Sequence, residues 1–314
     1  MKRVISRIFM IFIFLGGFAV FMYPLATRWF AKHESDKVLN DFKSDLVELQ
    51  QEQQKIEKGE VSETGSELTR LYADMKSYNE KIFRNGQSDL KDPFAYEIPV
   101  FNLEEYGFSN NVIGILNIPK MEVEMPMYLG ATKANMANGA VVLGNTSMPI
   151  GGANTNTVIA AHRGYKGIKM FRDIQKMEIG DDITLTTPWE ELKYRVSEIR
   201  IVGKNDIYEV FIQKNEDMIT LVTCHPYTKN THRYLVYAKR VVSLDEKETV
   251  SESDVETSDT IAETQQEPDS TISQDNLEYS DTQIWLEDNL MIIGGAVIMV
   301  MILVGMIVTR DKKG

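Results

Sequence analysis

A single cysteine, Cys224, occurs in the 314 residues, together with only four histidines and nine prolines. One thiol excludes an intramolecular disulfide and any zinc site built on a cysteine cluster. The histidines, at 33, 162, 225 and 232, are scattered, so neither a metal nor a cofactor is expected. Basic charge is not in excess: the net charge of −12 argues against nucleic acid as a partner. No internal repeat is evident. With 43% hydrophobic and 9% aromatic residues, the chain is neither collagen-like, nor of low complexity, nor wholly disordered.

What charge there is lies unevenly. Residues 244–288 hold fifteen Asp and Glu against one lysine, whereas the rest, with 33 basic and 31 acidic residues, is near neutral. That segment is rich in Ser and Thr and poor in large apolar groups, so 244–289 reads as an acidic disordered linker. Long uncharged apolar runs occur twice, at 8–27 and 290–309. Each would be about 30 Å long as a helix, enough to cross a bilayer. Lys2, Arg3 and Arg7 precede the first, and Arg310, Lys312 and Lys313 follow the second. The positive-inside rule then puts residues 1–7 and 310–314 in the cytoplasm and 28–289 outside the cell. A cleaved signal peptide is the alternative for the first run. No small-x-small site follows it, however, and Arg28-Trp29-Phe30 suits an uncleaved anchor.

The exported part divides near residue 97. Val38, Phe42, Leu46 and Leu49 recur at helical spacing, and Leu68, Leu71, Tyr72, Met75 and Ile82 form a second stripe. Thr64 and Glu67 fit a capping box, and Asn85-Gly86 ends the second helix. Residues 28–96 are thus expected to be a helical region, closing on the turn-prone Asp92-Pro93-Phe94. From 97 to 243 short apolar runs alternate with turn residues. Strands are expected at 112–118, 123–129, 140–143, 157–161, 182–186, 194–202, 218–223 and 234–241, with a helical turn at 171–174. Eight short strands in that length suit a closed barrel or a sandwich.

The lone thiol follows an apolar strand and precedes His225-Pro226, so it sits where rigid scaffolds display reactive groups. A thiol needs a base or cation to act as a nucleophile. In an extended chain neighbours point to opposite faces, so His225 is poorly placed beside Cys224. His33 lies at the membrane edge. His232 has the same parity problem beside Arg233. By elimination His162, at the end of the run 158–161, is the best partner, with a structurally satisfied histidine as the plain alternative. A hairpin would place Arg233 beside Cys224, where a guanidinium can hold an oxyanion, or serve merely as a surface residue.

At these residues the chain resembles the sortases, membrane-bound cysteine transpeptidases of Gram-positive bacteria. The resemblance lies in Thr220-Leu-Val-Thr-Cys224, in Arg233, and in His162 within Ala-Ala-His-Arg-Gly. It extends through residues 114–120, 144–152, 171–174 and 233–237, and covers roughly 97–243. It implies a mainly β fold: an eight-stranded sortase-type barrel with an N-terminal helical region, flanked by two transmembrane helices. It also implies Cys224, His162 and Arg233 as catalytic residues. The stretch from Cys224 to Arg233, the second apolar run and Asp92-Pro93-Phe94 are similar to class C sortases, the pilin polymerases. In those, a lid at the position of 91–96 would set Asp92 against the arginine and Phe94 over the thiol. Two departures stand out: His225 where a small residue is common, and Asn145 where a histidine is common.

The implied reaction is cleavage of an LPXTG-like sorting signal between Thr and Gly through a Cys224 acyl-enzyme. The acyl group then passes to an amine, either a pilin lysine or, in a class A-like housekeeping enzyme, a peptidoglycan precursor. Partners are therefore proteins bearing sorting signals, pilin subunits or wall precursor, and the membrane. A thiol phosphatase would need five residues between the cysteine and its arginine, whereas here eight, including Pro226, separate Cys224 from Arg233. A non-enzymatic tethered surface protein explains the apolar runs but not the three residues together.

Overall fold

The computed structural model describes residues 2–57, 67–88, 90, 99–108, 110–165, 168–227, 229–241 and 281–311. Eight strands close into a barrel: β1 (Val112–Ile118), β2 (Val123–Leu129), β3 (Ala140–Val142), β4 (Thr155–Ala160), β5 (Asp182–Thr186), β6 (Glu191–Gly203), β7 (Asp217–His225) and β8 (His232–Arg240). Their order around the barrel is β1-β2-β3-β4-β7-β8-β6-β5, with β5 returning to β1. The pairs β2–β3 and β4–β7 are parallel and the others antiparallel. Of the two architectures open at the level of strand spacing, the chain adopts the closed one.

Closure removes strand edges, and it also explains the sequence pattern. The central strands read as nearly unbroken apolar runs because both faces are covered. One face fills the interior with Leu116, Met127, Ile159, Leu185, Leu221 and Val236. The opposite face of β4, β7 and β8 carries Val158, Ala160, Val222 and Leu235 in a second cluster shared with Leu39, Phe42 and Leu46. Those last three belong to α1 (Lys2–Glu57), which runs unbroken through Pro24. Separate helices for the first apolar run and for the stripe at 38–49 were expected; the two are one helix.

The second stripe forms α2 (Glu67–Arg84), whose buried face is Leu68, Leu71, Met75, Asn79 and Ile82. Asn79, which apolar periodicity does not select, is the polar member. Its amide donates to the Met148 carbonyl at 3.2 Å and accepts from the Met148 N–H at 2.7 Å. A buried loop thereby satisfies its backbone as a strand would. A second amide, Gln87, donates to Asn145 O and accepts from Ile212 N–H. Asn145 itself has φ of 57°, a left-handed conformation that asparagine tolerates better than most residues.

Several boundaries differ from expectation. β3 ends one residue early, β4 spans Thr155–Ala160 rather than 157–161, and β6 begins at Glu191. β7 and β8 reach His225 and His232 rather than the expected 223 and 234, so their loop is 226–231. Pro226 limits β7 because it has no N–H for the ladder. A short helix, α3 (Lys133–Asn138), capped by the Thr132 hydroxyl, bridges β2 to β3. At 171–174 a turn leads into a 3-10 turn at Ile174–Lys176.

A final helix, α4 (Asp281–Asp311), takes in 281–289 as well as the second apolar run. It packs against α1, with Arg28 Nη1 donating to Asn289 Oδ1 at 3.2 Å. Among the described residues one helix, over Ile11–Glu48, is long and apolar enough to cross a membrane; the apolar stretch of α4, Asn289–Ile302, is shorter.

Candidate functional site

The three residues singled out in the sequence meet at one end of the barrel. In the β7–β8 ladder Cys224 is the direct partner of Arg233. Directly opposed residues project from the same face, with Cβ atoms roughly 5 Å apart. β4 runs parallel to β7 with Ala160 opposite Val222. Carried two residues on, that register brings His162 beside Cys224. Two bonds hold this extension: Ala161 N–H to Val222 O at 3.2 Å, and the Thr223 hydroxyl to Ala161 O at 2.8 Å. Even-numbered residues of β4 and β7 and odd-numbered residues of β8 share the outer face. His162, Cys224 and Arg233 therefore continue the row of Ala160, Val222 and Leu235.

Cys224 is half-buried, as a nucleophile at a strand end must be if a substrate is to reach it. Arg233 is buried to 6% exposure, and its guanidinium donates to His232 O at 3.0 Å and Asn230 O at 3.4 Å. Carbonyls at the first residue of β8 and on the loop before it thus orient the fork. His162 is half-buried, and its ring lies nearly parallel to that of Tyr165 at 4.8 Å. Burial pushes its imidazole below the usual histidine value, favouring the neutral form.

His225 is on the other face, as strand parity requires, and is fully buried. Its Nδ1 lies 2.6 Å from the Arg163 guanidinium. Burial, then the charges of Arg163 and His232, push its imidazole down to about 4. Arg163 also donates to Gln175 Oε1 at 2.9 Å. Sequence reasoning gave Arg163, Tyr165 and Gln175 no role. Arg163 was within reach of it, since it follows His162 as His225 follows Cys224 and so shares His225's parity. Asp92 and Phe94, expected in a lid at 91–96, lie outside the described residues. Among the described residues no group of three or more His, Cys, Asp or Glu could hold a metal.

The Sortase domain family profile matches residues 116–241. The chain is 29% identical over 131 residues to Sortase D of Bacillus subtilis (strain 168), covering 41% of this chain and 63% of that protein. With Sortase A of Bacillus anthracis it shares 32% identity over 149 residues, covering 48% and 67%. The matches thus span about two thirds of these relatives' length. Among solved structures, the Group B Streptococcus Pilus Island 1 Sortase C2 superposes with a TM-score of 0.51 at 34% identity, over 57% of this chain and 99% of that one. An eight-stranded barrel, a half-buried thiol in register with an arginine, and these matches lead to one assignment: the chain belongs to the sortase family of cysteine transpeptidases and is most like its class C, pilin-polymerising branch.

Proposed function

We propose that the protein cleaves an LPXTG-like sorting signal between Thr and Gly and transfers the acyl group to a pilin lysine. The observation that carries this reading is the Cys224–Arg233 register, with His162 brought alongside by the parallel β4–β7 pairing. The Cys224 sulfur attacks the Thr carbonyl carbon. Neutral His162, favoured by its burial, takes the thiol proton. Arg233 donates to the carbonyl oxygen as negative charge gathers there. His162, now an imidazolium, passes the proton to the departing glycine nitrogen as the C–N bond breaks, leaving a thioester on Cys224. An incoming amine then attacks the thioester and gives its proton to His162. A new amide forms, and the proton returns to the Cys224 sulfur.

Asp92 and Phe94 act as a lid in this reading, the carboxylate against Arg233 and the ring over Cys224, excluding water that would hydrolyse the thioester. The protein is held at the cell membrane by two helices, α1 and α4, with both termini cytoplasmic and the barrel outside. The basic residues flanking both apolar runs and the packing of α4 on α1 support that topology.

The pilin acceptor is favoured by the likeness to a pilus-island sortase C2 over nearly all of that chain. The likeness to Bacillus anthracis Sortase A favours a second reading, in which the acceptor is the amine of a peptidoglycan precursor. Incubating the full-length protein in detergent with a sorting-signal peptide and both amines, then mapping the new amide by mass spectrometry, decides between them. A lysine isopeptide supports polymerisation, a precursor-linked product supports wall anchoring, and no new amide with either overturns both.

A further inference from the structure

Behind the three site residues, on the interior face of the same strand ends, lies a second contact that none of the proposed steps uses. His162 is followed by Arg163 and Cys224 by His225. The outer-facing pair is His162 and Cys224; the buried pair is Arg163 and His225, with Arg163 Nη1 2.6 Å from His225 Nδ1. We propose that Arg163 and His225 form a clasp that sets the spacing of His162 from Cys224, and that both are positioning residues for the transfer reaction.

Three observations support the clasp. The regular β4–β7 pairing ends at Ala160–Val222, and beyond Ala161 the chain turns through Gly164, whose φ is 93°. The clasp is therefore a cross-link between the two chains past the last ladder pair, at the residues next to His162 and Cys224. Arg163 is itself tethered from the far side, by Gln175 Oε1 on the 3-10 turn Ile174–Lys176. The same corner holds the His162 carbonyl, which accepts from Phe171 N–H at 3.0 Å. A guanidinium can only donate, so Nδ1 must be the acceptor and the imidazole neutral. The depressed value of His225, about 4, agrees.

His225 Nε2, the remaining ring nitrogen, is buried with no hydrogen-bond partner among the described residues. Leaving a buried donor unpaired is unfavourable, and an apolar residue would fill the space without that cost. What the imidazole supplies that an apolar group cannot is the Nδ1 acceptor. Tyr234 packs beside both members, its ring 5.7 Å from His225 and 5.9 Å from the Arg163 guanidinium.

The clasp as a positioning device rests on the proposed transfer reaction, and the test keeps the two separable. Asparagine places a side-chain acceptor where histidine has Nδ1; leucine fills the volume without one. In the full-length protein in detergent, with a fluorescence-quenched LPXTG peptide and a lysine amine, His225→Leu should lower kcat about tenfold with KM within about twofold. His225→Asn should recover kcat to within about threefold of the parent. Alkylation of Cys224 by iodoacetamide, which needs no substrate, should slow by about threefold in His225→Leu and recover in His225→Asn. Parental kcat and alkylation in His225→Leu, or equal damage in the leucine and asparagine variants, would overturn the clasp. Absent turnover in the parent, with the alkylation pattern intact, would remove the proposed reaction and leave the clasp standing. Should His225→Leu give no cooperative melt, Arg163→Lys reads the same link. Lysine keeps the charge but cannot reach both Gln175 and His225, so kcat should fall by about threefold, and a parental kcat would overturn the clasp.

Discussion

Cys224 and Arg233 are direct cross-strand partners in the antiparallel β7–β8 ladder, one pair from its end. A sulfur nucleophile and a planar cationic donor thus share one face at a fixed spacing. The spacing is set by backbone hydrogen bonds of the ladder rather than by the loop between them.

Because the Arg233 fork is fixed by the carbonyls of His232 and Asn230, its role depends on direction as well as charge. Lysine reproduces the charge without the fork. Arg233→Lys should lose about tenfold or more in kcat/KM, a barrier increase of about 1.4 kcal/mol. Steady-state kinetics of the full-length protein check this, and parental kinetics would reduce Arg233 to a structural residue.

Burial lowers the His162 value from 6.5, so the folded protein holds this proton less tightly than the unfolded chain does. The neutral ring persists down to its folded value and is lost as pH falls through it. If neutral His162 accepts the thiol proton, the acid limb of kcat/KM should have its midpoint below 6.5 and should vanish with His162→Ala, alongside most of the activity. A pH–rate profile with an acid midpoint above 6.5 would contradict this.

Asn79 should matter to stability and not to chemistry. Replacing it with alanine leaves the Met148 N–H without its partner inside the protein, a loss of about 1–3 kcal/mol. Thermal melting should therefore drop by roughly 5 °C. Unchanged melting of the alanine variant would show that α2 docks through its apolar stripe alone.

The lid reading predicts that Asp92→Ala combined with Phe94→Ala exposes Cys224. An exposed ion pair contributes about 0–1 kcal/mol, and partial burial of a phenylalanine about 1–2 kcal/mol. Thiol modification by a small reagent should then accelerate by roughly tenfold. Equal reactivity in parent and double variant would leave these residues as a turn.

Much of this was legible because strands obey a period of two. Short apolar runs bounded by turn residues marked the eight strands, and parity separated His225 from Cys224 while a hairpin set Arg233 beside Cys224. Strand ends were less legible, because a ladder continues wherever a partner strand supplies bonds. His225 and His232 pair at the β7–β8 end despite the neighbouring proline. What could not be read was what tertiary contact decides. Asn79 and Gln87 look like ordinary surface amides until the backbone they bind, 69 and 58 residues away, is brought to them. Arg163 likewise gains its meaning from His225, 62 residues on. Nor does the sequence mark the fusion of the first apolar run with the following stripe into α1, because the largely polar and charged residues from Arg28 to Lys37 interrupt the apolar pattern between them.

The central claim is that Cys224 carries the acyl group. Full-length protein should be incubated with an LPXTG peptide, quenched in acid and digested. Mass spectrometry should then find the peptide, cut after Thr, joined to the fragment containing Cys224. Cys224→Ala should give neither adduct nor new amide while melting like the parent. Undiminished amide formation by Cys224→Ala, or an adduct on any other residue, would contradict the account.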